Sequence, residues 1–284
     1  MRKTDIEWVK NPDGSQGYTW NPVTGCYHGC SYCYARGIVT RFGVNDEGLK
    51  SPEGMYSVHI HDDESKEIFG NALYPFGFEP TFYPDRLNAL SEIKKPTTIF
   101  VGSMGDIWGD WVTDDWLAKL VNVLYDRAVK CPCDRVLLLT KNPKRYHVIA
   151  DETHICVMAL FIGGEVMWYG ASITTIDEAI SHSKTMSKFK FSNKYFSAEP
   201  LLEDIADHID FTGIRWLIIG ALMKNGRVVP PEKGGTQKQW VKKLIETARA
   251  SRVPYFLKDS IINIWPELTG CDYANPLPYL EGEI

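Results

Sequence analysis

The sequence lacks an uninterrupted apolar stretch long enough to cross a bilayer, and its first fourteen residues mix charges with Asn and Pro. Neither a membrane span nor a targeting signal is predicted, and we expect a cytoplasmic protein without a membrane partner. Internal repeats and low-complexity tracts are absent as well. With 284 residues, 44% of them hydrophobic and 24% charged, the composition is typical of a folded domain and excludes global disorder.

The chain also lacks an excess of positive charge. Its formal net charge is −5, so a general attraction to nucleic acids is not predicted. The charge is unevenly distributed, however, because residues 184–258 contain fourteen Lys and Arg against seven Asp and Glu. Lys-rich surface helices are one explanation. The other is an anionic substrate, a nucleotide or nucleic acid, that approaches this half of the chain.

Cysteines are few and odd in number, which argues against a fully paired disulfide framework. In a reducing compartment the seven residues are thiols, and a tight group of them indicates a metal site or a nucleophile. Three fall within eight residues, at Cys26, Cys30 and Cys33. The others are interpreted as ordinary thiols, namely Cys131, Cys133, Cys156 and Cys271.

Short apolar runs rich in β-branched and aromatic residues recur along the chain and are separated by segments with helical periodicity. Such runs are typical of strands covered on both faces, and their alternation with helices predicts a parallel α/β fold. We expect a full or partial (β/α) barrel of six to eight βα units, with a doubly wound open sheet as the rival. The predicted strands are 97–101, 135–139, 168–172, 194–197, 216–220 and 253–257, with weaker candidates at 18–20 and 79–83.

Three helix starts carry capping signals. Thr113 is expected to cap a helix through Val129, a second helix begins near Thr174 or Thr175, and a capping box is predicted at Thr236-x-x-Gln239. Residues 44–78 show no convincing periodicity and are interpreted as an irregular insertion that acts as a lid. Residues 1–284 are therefore predicted to form one domain with this insertion.

The segment from Thr24 to Ala35 carries the strongest chemical signal, a C-x3-C-x2-C spacing. Three thiolates on one short loop can hold three irons of a 4Fe-4S cluster, whose usual complement is four cysteines. The fourth iron then stays open to an exogenous ligand, and the amino and carboxylate groups of S-adenosylmethionine can chelate it. Gly25 and Gly29 suit a loop that wraps closely around a cluster.

Zinc is the alternative metal for this loop, with His28 or a distant residue as its fourth ligand. Zinc motifs usually contain two paired halves, whereas Cys131-Pro-Cys133 is too tightly spaced to form the second one. The spacing favours the cluster and leaves zinc open.

The C-x3-C-x-aromatic-C pattern, with Tyr32 in the aromatic place, resembles the signature of the radical S-adenosylmethionine superfamily. The resemblance implies that Tyr32 lies by the adenine of the cofactor. It also implies a partial (β/α) barrel with the cluster loop after the first strand. The implied partners are a 4Fe-4S cluster, S-adenosylmethionine and an external electron donor of the flavodoxin or ferredoxin type.

A second resemblance covers nearly the whole chain and is to the phage Gp37/Gp68-like (DUF5131) family. The sequence departs from the expected pattern at Ile219-Gly-Ala-Leu222, where a Gly-Gly-Glu-like turn is expected. The matching segments occur in order, and they are Ile6-Glu7-Trp8, residues 20–26, 33–35, 100–106, 139–141, 197–202 and 256–258.

Several polar residues follow predicted strands, where the sites of parallel α/β folds form. In the radical superfamily the turn after the strand at 97–101 contacts the methionyl amino group, which makes Ser103, Met104 and Asp106 candidates. Core packing of Met104 and a capping or solvated Asp106 are the structural alternatives. Lys141 follows the next strand, where it would pair with the cofactor carboxylate or lie in a solvated turn.

The second half of the chain supplies three more candidates. Ser172 ends a strand and is expected to reach a ribose hydroxyl of the cofactor. Glu199 would bind ribose hydroxyls or the substrate, with a buried ion pair to Lys258 or Lys141 as the alternative. Lys258 would neutralise an anionic substrate or transfer a proton, or is a surface lysine beside Asp259.

The resulting functional hypothesis is a radical enzyme. It would cleave S-adenosylmethionine reductively to a 5′-deoxyadenosyl radical that acts on an unidentified substrate, with modification or repair of a nucleotide or nucleic acid as the suggested class. The alternatives are a non-catalytic zinc- or nucleic-acid-binding protein and an iron–sulfur protein with a structural or redox-sensing role.

Overall fold

A computed structural model describes residues 1–42, 56–70, 73–150 and 166–269. Cys156, Cys271 and part of the predicted insertion lie outside these residues. The chain divides into two compact units. The first comprises residues 1–4 and 17–166, and the second comprises residues 5–16 and 167–284.

The first unit contains a short parallel sheet and a second, mixed sheet. Its strands are β1 Arg2–Lys3, β2 Tyr18–Trp20, β3 Val23–Thr24, β4 Tyr56–Ile60, β5 Lys66–Gly70, β6 Thr81–Phe82, β7 Thr98–Val101 and β8 Arg135–Thr140. Its helices are α1 Tyr34–Phe42, α2 Asp114–Lys130 and α3 His147–Ala150, with 3₁₀ turns at Pro84–Glu92 and Pro143–Tyr146. Strands β2, β7 and β8 pair in parallel, and β1 adds antiparallel to β2.

The second unit is built on four parallel strands. Its strands are β9 Met167–Ser172, β10 Lys194–Ala198, β11 Trp216–Ile219, β12 Met223–Lys224, β13 Arg227–Val228 and β14 Tyr255–Leu257. Its helices are α4 Ile176–Met186, α5 Lys238–Ala250 and α6 Asp259–Ile262, with 3₁₀ turns at Pro231–Lys233 and Pro266–Leu268. The parallel order is β9, β10, β11 and β14, while β12 and β13 form an antiparallel hairpin.

The prediction of a parallel α/β architecture is confirmed in each unit. All residues of β7, β9, β10, β11 and β14 are buried, which explains why these strands read as unbroken apolar runs instead of alternating ones. The last strand begins at Tyr255 and not at Val253, because Pro254 has no N–H to donate to a ladder. Closure into a barrel and the single domain over residues 1–284 stay predictions.

The interpretation of residues 44–78 as irregular is wrong for two stretches of it. Strands β4 and β5 form an antiparallel hairpin, with His59 opposite Glu67, and β5 pairs with β6. The hairpin was not recognised because its strands gain their order from pairing with each other and with β6, which follows a segment rich in Gly and Pro.

Helix starts agree with two of the three capping predictions. The side chains of Thr113 and Thr175 accept hydrogen bonds from the backbone N–H groups of Trp116 and Glu178 at the starts of α2 and α4. The capping box at Thr236 is wrong. Its hydroxyl instead accepts from Leu222 N at 2.9 Å and donates to the carbonyl of Leu201 at 2.7 Å.

No helix within the described ranges combines the length and the apolar character that a bilayer span requires.

Candidate functional site

The cysteine loop begins at the end of β3 and leads into α1. Its entry is fixed by backbone contacts, since Gly25 N donates to the carbonyl of Met104 at 2.9 Å and Cys26 N to that of Phe78 at 3.2 Å. Gly25 also forms a parallel bridge with Gly105. A Cβ on Gly25 would lie 2.2 Å from the Glu79 oxygen, and one on Gly105 would lie 2.7 Å from the Gly25 oxygen. Only glycine fits at either position.

Cys26, Cys30 and Cys33 are partly buried free thiols. Two of the sulfurs accept backbone hydrogen bonds, Cys26 Sγ from His28 N at 3.5 Å and Cys33 Sγ from Arg36 N at 3.3 Å. Desolvation by burial raises the pKa of the Cys26 thiol to about 12, against the opposing effect of the His28 N–H. Metal binding would therefore have to displace a firmly held proton from this sulfur.

The chemistry of this donor set fits a thiolate-bound cluster. Three cysteines share one short loop, and backbone N–H groups already point at two of the sulfurs. Over the described part of the chain, no three His, Cys, Asp or Glu side chains are gathered closely enough to hold a metal ion.

Asp106 follows β7 and is buried. Its Oδ1 accepts from Trp108 N at 2.9 Å. Its Oδ2 accepts from Thr140 Oγ1 at 2.8 Å and from Lys141 N at 3.0 Å, and it lies 2.8 Å from His28 Nε2. One carboxylate thus connects the cysteine loop with the turns that follow β7 and β8.

Ser103 and Met104 are held by Asn21, which directly follows β2. The Asn21 amide nitrogen and the Ser103 hydroxyl are 3.0 Å apart, and Asn21 Oδ1 accepts from Met104 N at 3.0 Å. The Ser103 carbonyl accepts a hydrogen bond from the Tyr34 hydroxyl. The predicted cofactor turn is therefore fixed by two side chains, Asn21 after β2 and Tyr34 at the start of α1.

Lys141 and Tyr32 lie together on the same side of the loop. The ammonium of Lys141 is 5.5 Å from the centre of the Tyr32 ring, a cation–π contact. The two residues were predicted separately as a carboxylate partner and an adenine neighbour, and the structure brings them into contact. Their roles toward the cofactor stay predictions.

In the second unit, Glu199 and Lys258 form the ion pair that the sequence offered as the structural alternative. Lys258 Nζ donates to Glu199 and lies 3.8 Å from Glu7 Oε1, and Asp259 N donates to Glu7 Oε2 at 2.5 Å. Desolvation raises the pKa of Glu7. Lys258 thus already has two carboxylate partners, which weakens the hypothesis that it serves to neutralise an anionic substrate.

Ser172 is buried at the end of β9, and its carbonyl accepts a hydrogen bond from His182 Nδ1 at 2.6 Å. The contact fixes the strand end onto α4. The predicted contact of Ser172 with a ribose stays a prediction.

Sequence reasoning missed three residues of the cysteine-loop site. Asn21 lies in a segment of the family resemblance without an assigned role, His28 is predicted only as a zinc ligand, and Trp111 is not among the predicted site residues. The Trp111 ring lies edge-on to His28 at 4.8 Å and to Tyr27 at 5.5 Å. A polar Asn directly after a buried strand residue was the available signal for Asn21.

Comparison with known families gives one match, to the family described as "Protein of unknown function (DUF5131)", over residues 3–261. The chain belongs to the DUF5131 family. The match confirms the resemblance drawn from the ordered sequence segments. No curated protein matches the DUF5131 chain.

Among solved structures, the DUF5131 chain is similar to spore photoproduct lyase complexed with dinucleoside spore photoproduct. The identity is 13%, the TM-score is 0.45, and the match covers 91% of this chain and 76% of that one. A mutant of the same lyase with bound AdoMet and dinucleoside spore photoproduct is 11% identical with a TM-score of 0.40, covering 87% of this chain and 65% of that one.

Proposed function

We propose that this DUF5131 protein is a radical S-adenosylmethionine enzyme whose 4Fe-4S cluster is held by Cys26, Cys30 and Cys33. The observation that carries the proposal is the loop itself. Three thiols at C-x3-C-x2-C spacing lie on one segment that is fixed to the strand-end turn at Gly105 and Asp106. Held by these three cysteines, a reduced cluster would supply one electron for the cleavage of S-adenosylmethionine to methionine and a 5′-deoxyadenosyl radical, which would abstract hydrogen from the substrate.

The chain's own residues would position the cofactor. Tyr32 offers an aromatic face to the adenine, and Lys141 offers a positive charge to the methionyl carboxylate. The Ser103–Met104 turn is proposed as the contact for the amino group on its position after β7, although its Ser103 hydroxyl is already engaged by Asn21. Ser172 and Glu199 are proposed on the sequence argument alone as ribose contacts of the cofactor, and Glu199 and Lys258 as groups near the substrate.

The proposed substrate class is a nucleotide or nucleic acid, and the proposed reaction is modification or repair. The support is the excess of Lys and Arg over residues 184–258. An external flavodoxin- or ferredoxin-like protein is proposed as the electron donor, and the cytoplasm as the location.

One observation favours zinc as the second candidate. His28 lies between Cys26 and Cys30, and the contact of its Nε2 with Asp106 leaves Nδ1 as a ligand atom. Metal-binding histidines commonly have a carboxylate on the other ring nitrogen. The loop would then hold zinc through three cysteines and one histidine, without radical chemistry.

Anaerobic purification and reconstitution separate the two candidates. Iron, sulfide and zinc are measured first, and then dithionite and S-adenosylmethionine are added and 5′-deoxyadenosine is measured. We expect about four irons per chain and formation of 5′-deoxyadenosine, and loss of both after Cys26→Ala, Cys30→Ala or Cys33→Ala. Cys131→Ala and Cys133→Ala are the matched controls and should retain both signals. A colourless zinc protein that forms no 5′-deoxyadenosine would overturn the proposal.

A further inference from the structure

The Asp106 carboxylate lies where three separate parts of the first unit meet. Its partners come from its own turn (Trp108 N), from the end of β8 (Thr140 Oγ1 and Lys141 N) and from the cysteine loop (His28 Nε2). All four distances fall between 2.8 and 3.0 Å. These distances are in the normal range for hydrogen bonds in proteins.

Oδ2 of Asp106 is in contact with three of these partners and Oδ1 with one. Asp106 is also 7% exposed, so little of it faces solvent or a ligand. A cofactor amino group that bound Oδ2 would have to displace one of its three existing partners, at a cost of about 1–3 kcal/mol for a buried donor left unpaired. The contacts therefore assign Asp106 to the protein rather than to the ligand.

Only one of the four bonds reaches the cysteine loop, and it does so at the centre of the loop. His28 is two residues from both Cys26 and Cys30. Its ring is held between the carboxylate of Asp106 at 2.8 Å and the edge-on ring of Trp111 at 4.8 Å. Fixing this ring restricts the backbone on which two of the three thiols stand.

We infer that Asp106 is a positioning residue that anchors the cysteine loop through His28 onto the ends of β7 and β8. The structural inference stands on the hydrogen bonds of the chain itself. Its functional meaning, a loop held ready for a cluster, rests on the proposed function.

Alkylation of the metal-free chain tests the anchor. The apo protein is treated with iodoacetamide, and the modification rate of each cysteine is followed by peptide mass spectrometry. In Asp106→Ala and in His28→Ala we expect Cys26 and Cys30 to react at least about fivefold faster, because an unanchored loop opens locally more often. Cys131 and Cys133 serve as internal references and should stay within about twofold of the wild type.

Two further variants sharpen the result. His28→Gln retains a side-chain amide that can donate to Asp106, and it should return the rates toward the wild type. Asp110→Ala is the matched control, because Asp110 lies in the same segment and accepts from Asn142 Nδ2 at 2.8 Å but is mostly exposed and has no contact with the loop. It should leave Cys26 and Cys30 unchanged. If Asp106→Ala does not fold, His28→Ala and His28→Gln carry the test.

Unchanged Cys26 and Cys30 rates in a folded His28→Ala protein would overturn the inference, and so would equal rates in His28→Ala and His28→Gln. The measurement uses neither iron nor S-adenosylmethionine. A wild-type chain that binds no cluster but shows the expected alkylation pattern would overturn the proposed function alone. A chain that binds the cluster but shows no effect of these variants would overturn only the anchor.

Discussion

Lys258 is shared by two carboxylates, since its Nζ donates to Glu199 and lies 3.8 Å from Glu7 Oε1. Along the chain, Glu7 lies between β1 and β2, Glu199 directly follows β10, and Lys258 directly follows β14. Glu7 belongs to the Ile6-Glu7-Trp8 segment of the family resemblance, which had no assigned role. Its contact with Lys258 and Asp259 N now gives that segment a structural one.

Replacing Lys258 should show how much its ion pairs with Glu199 and Glu7 contribute to the free energy of unfolding. Burial lowers the pKa of Lys258, but the charge and hydrogen bond of Glu199 and the charge of Glu7 outweigh it, so the pKa is raised. The ion pairs therefore contribute fully below the unfolded lysine pKa of about 10.4 and are lost as the pH rises through the raised value. Lys258→Met should cost about 2 kcal/mol at pH 8, less than the 3–5 kcal/mol of fully buried pairs.

Thermal unfolding of the wild type and of Lys258→Met from pH 7 to pH 11 measures the contribution of these ion pairs to stability. The difference between wild type and Lys258→Met should be constant up to about pH 10 and shrink above it. Lys243→Met is the matched control, because Lys243 also pairs with two carboxylates but is more exposed, and it should show a smaller difference. A penalty that persists unchanged at pH 11 would contradict this account.

The backbone at the entry of the cysteine loop should not tolerate a side chain. Gly25 has φ +85°, and a Cβ there would lie 2.2 Å from the Glu79 oxygen. Gly25→Ala should therefore cost about 3 kcal/mol or more. Gly14→Ala is the matched control, with φ +81° and nothing within 4 Å of the new Cβ, and it should cost only the strain of about 1–2 kcal/mol. Denaturant unfolding of both variants gives the comparison, and equal losses would refute the steric explanation.

Arg127 and Asp134 form a buried ion pair between the end of α2 and the start of β8. Arg127 Nε donates to Asp134 Oδ2 at 2.5 Å, and Asp134 Oδ1 accepts from Thr97 N at 2.8 Å. The Asp134 side chain is fully buried, so Asp134→Ala leaves an unpaired charge and should cost about 3–5 kcal/mol. Asp126→Ala on the exposed face of α2 should change stability by less than about 0.5 kcal/mol. Chemical denaturation distinguishes the two, and similar effects would contradict the prediction.

The contribution of the Thr113 cap to stability can be measured separately from the low helix propensity of threonine. Thr113→Ala removes the acceptor for Trp116 N at 3.2 Å and should cost about 1 kcal/mol. Thr247→Ala, inside α5, removes only a bond to the Lys243 carbonyl and should be neutral or slightly stabilising, because alanine is the better helix former. Thermal melts should show a lower Tm for Thr113→Ala and an equal or higher Tm for Thr247→Ala. An equal decrease of Tm in both variants would refute the capping role.

Local pattern was sufficient for most regular elements. The strand patterns predicted the observed ends of β2 and the ends of the other main strands to within about two residues. Thr113 and Thr175 marked helix starts because a cap acts within three residues of chain. Thr236 carried the same local signal, but its hydroxyl found partners at Leu201 and Leu222 instead. Tertiary contacts decided against the local preference at that position.

The sequence supplies candidate residues for the site, but it does not indicate the contacts between them. Cys26, Cys30 and Cys33 are visible as a spacing, whereas three of the four partners of Asp106 lie 34 to 78 residues away along the chain. No periodicity encodes such a pairing. The partner of Asn21 could not be predicted for the same reason, because its contact with Ser103 crosses 82 residues.

The bridge between Gly25 and Gly105 has an evolutionary consequence. Each glycine is opposed by main-chain atoms of the other segment or of Glu79, so no replacement of a neighbouring side chain can make room. Compensating pairs of mutations are therefore ruled out at this crossing, unlike at a crossing closed by side chains. In diverged members of the family we expect glycine at both positions, with no covariation between them. A deep mutational scan should find that neither position tolerates substitution, whatever other mutations are present.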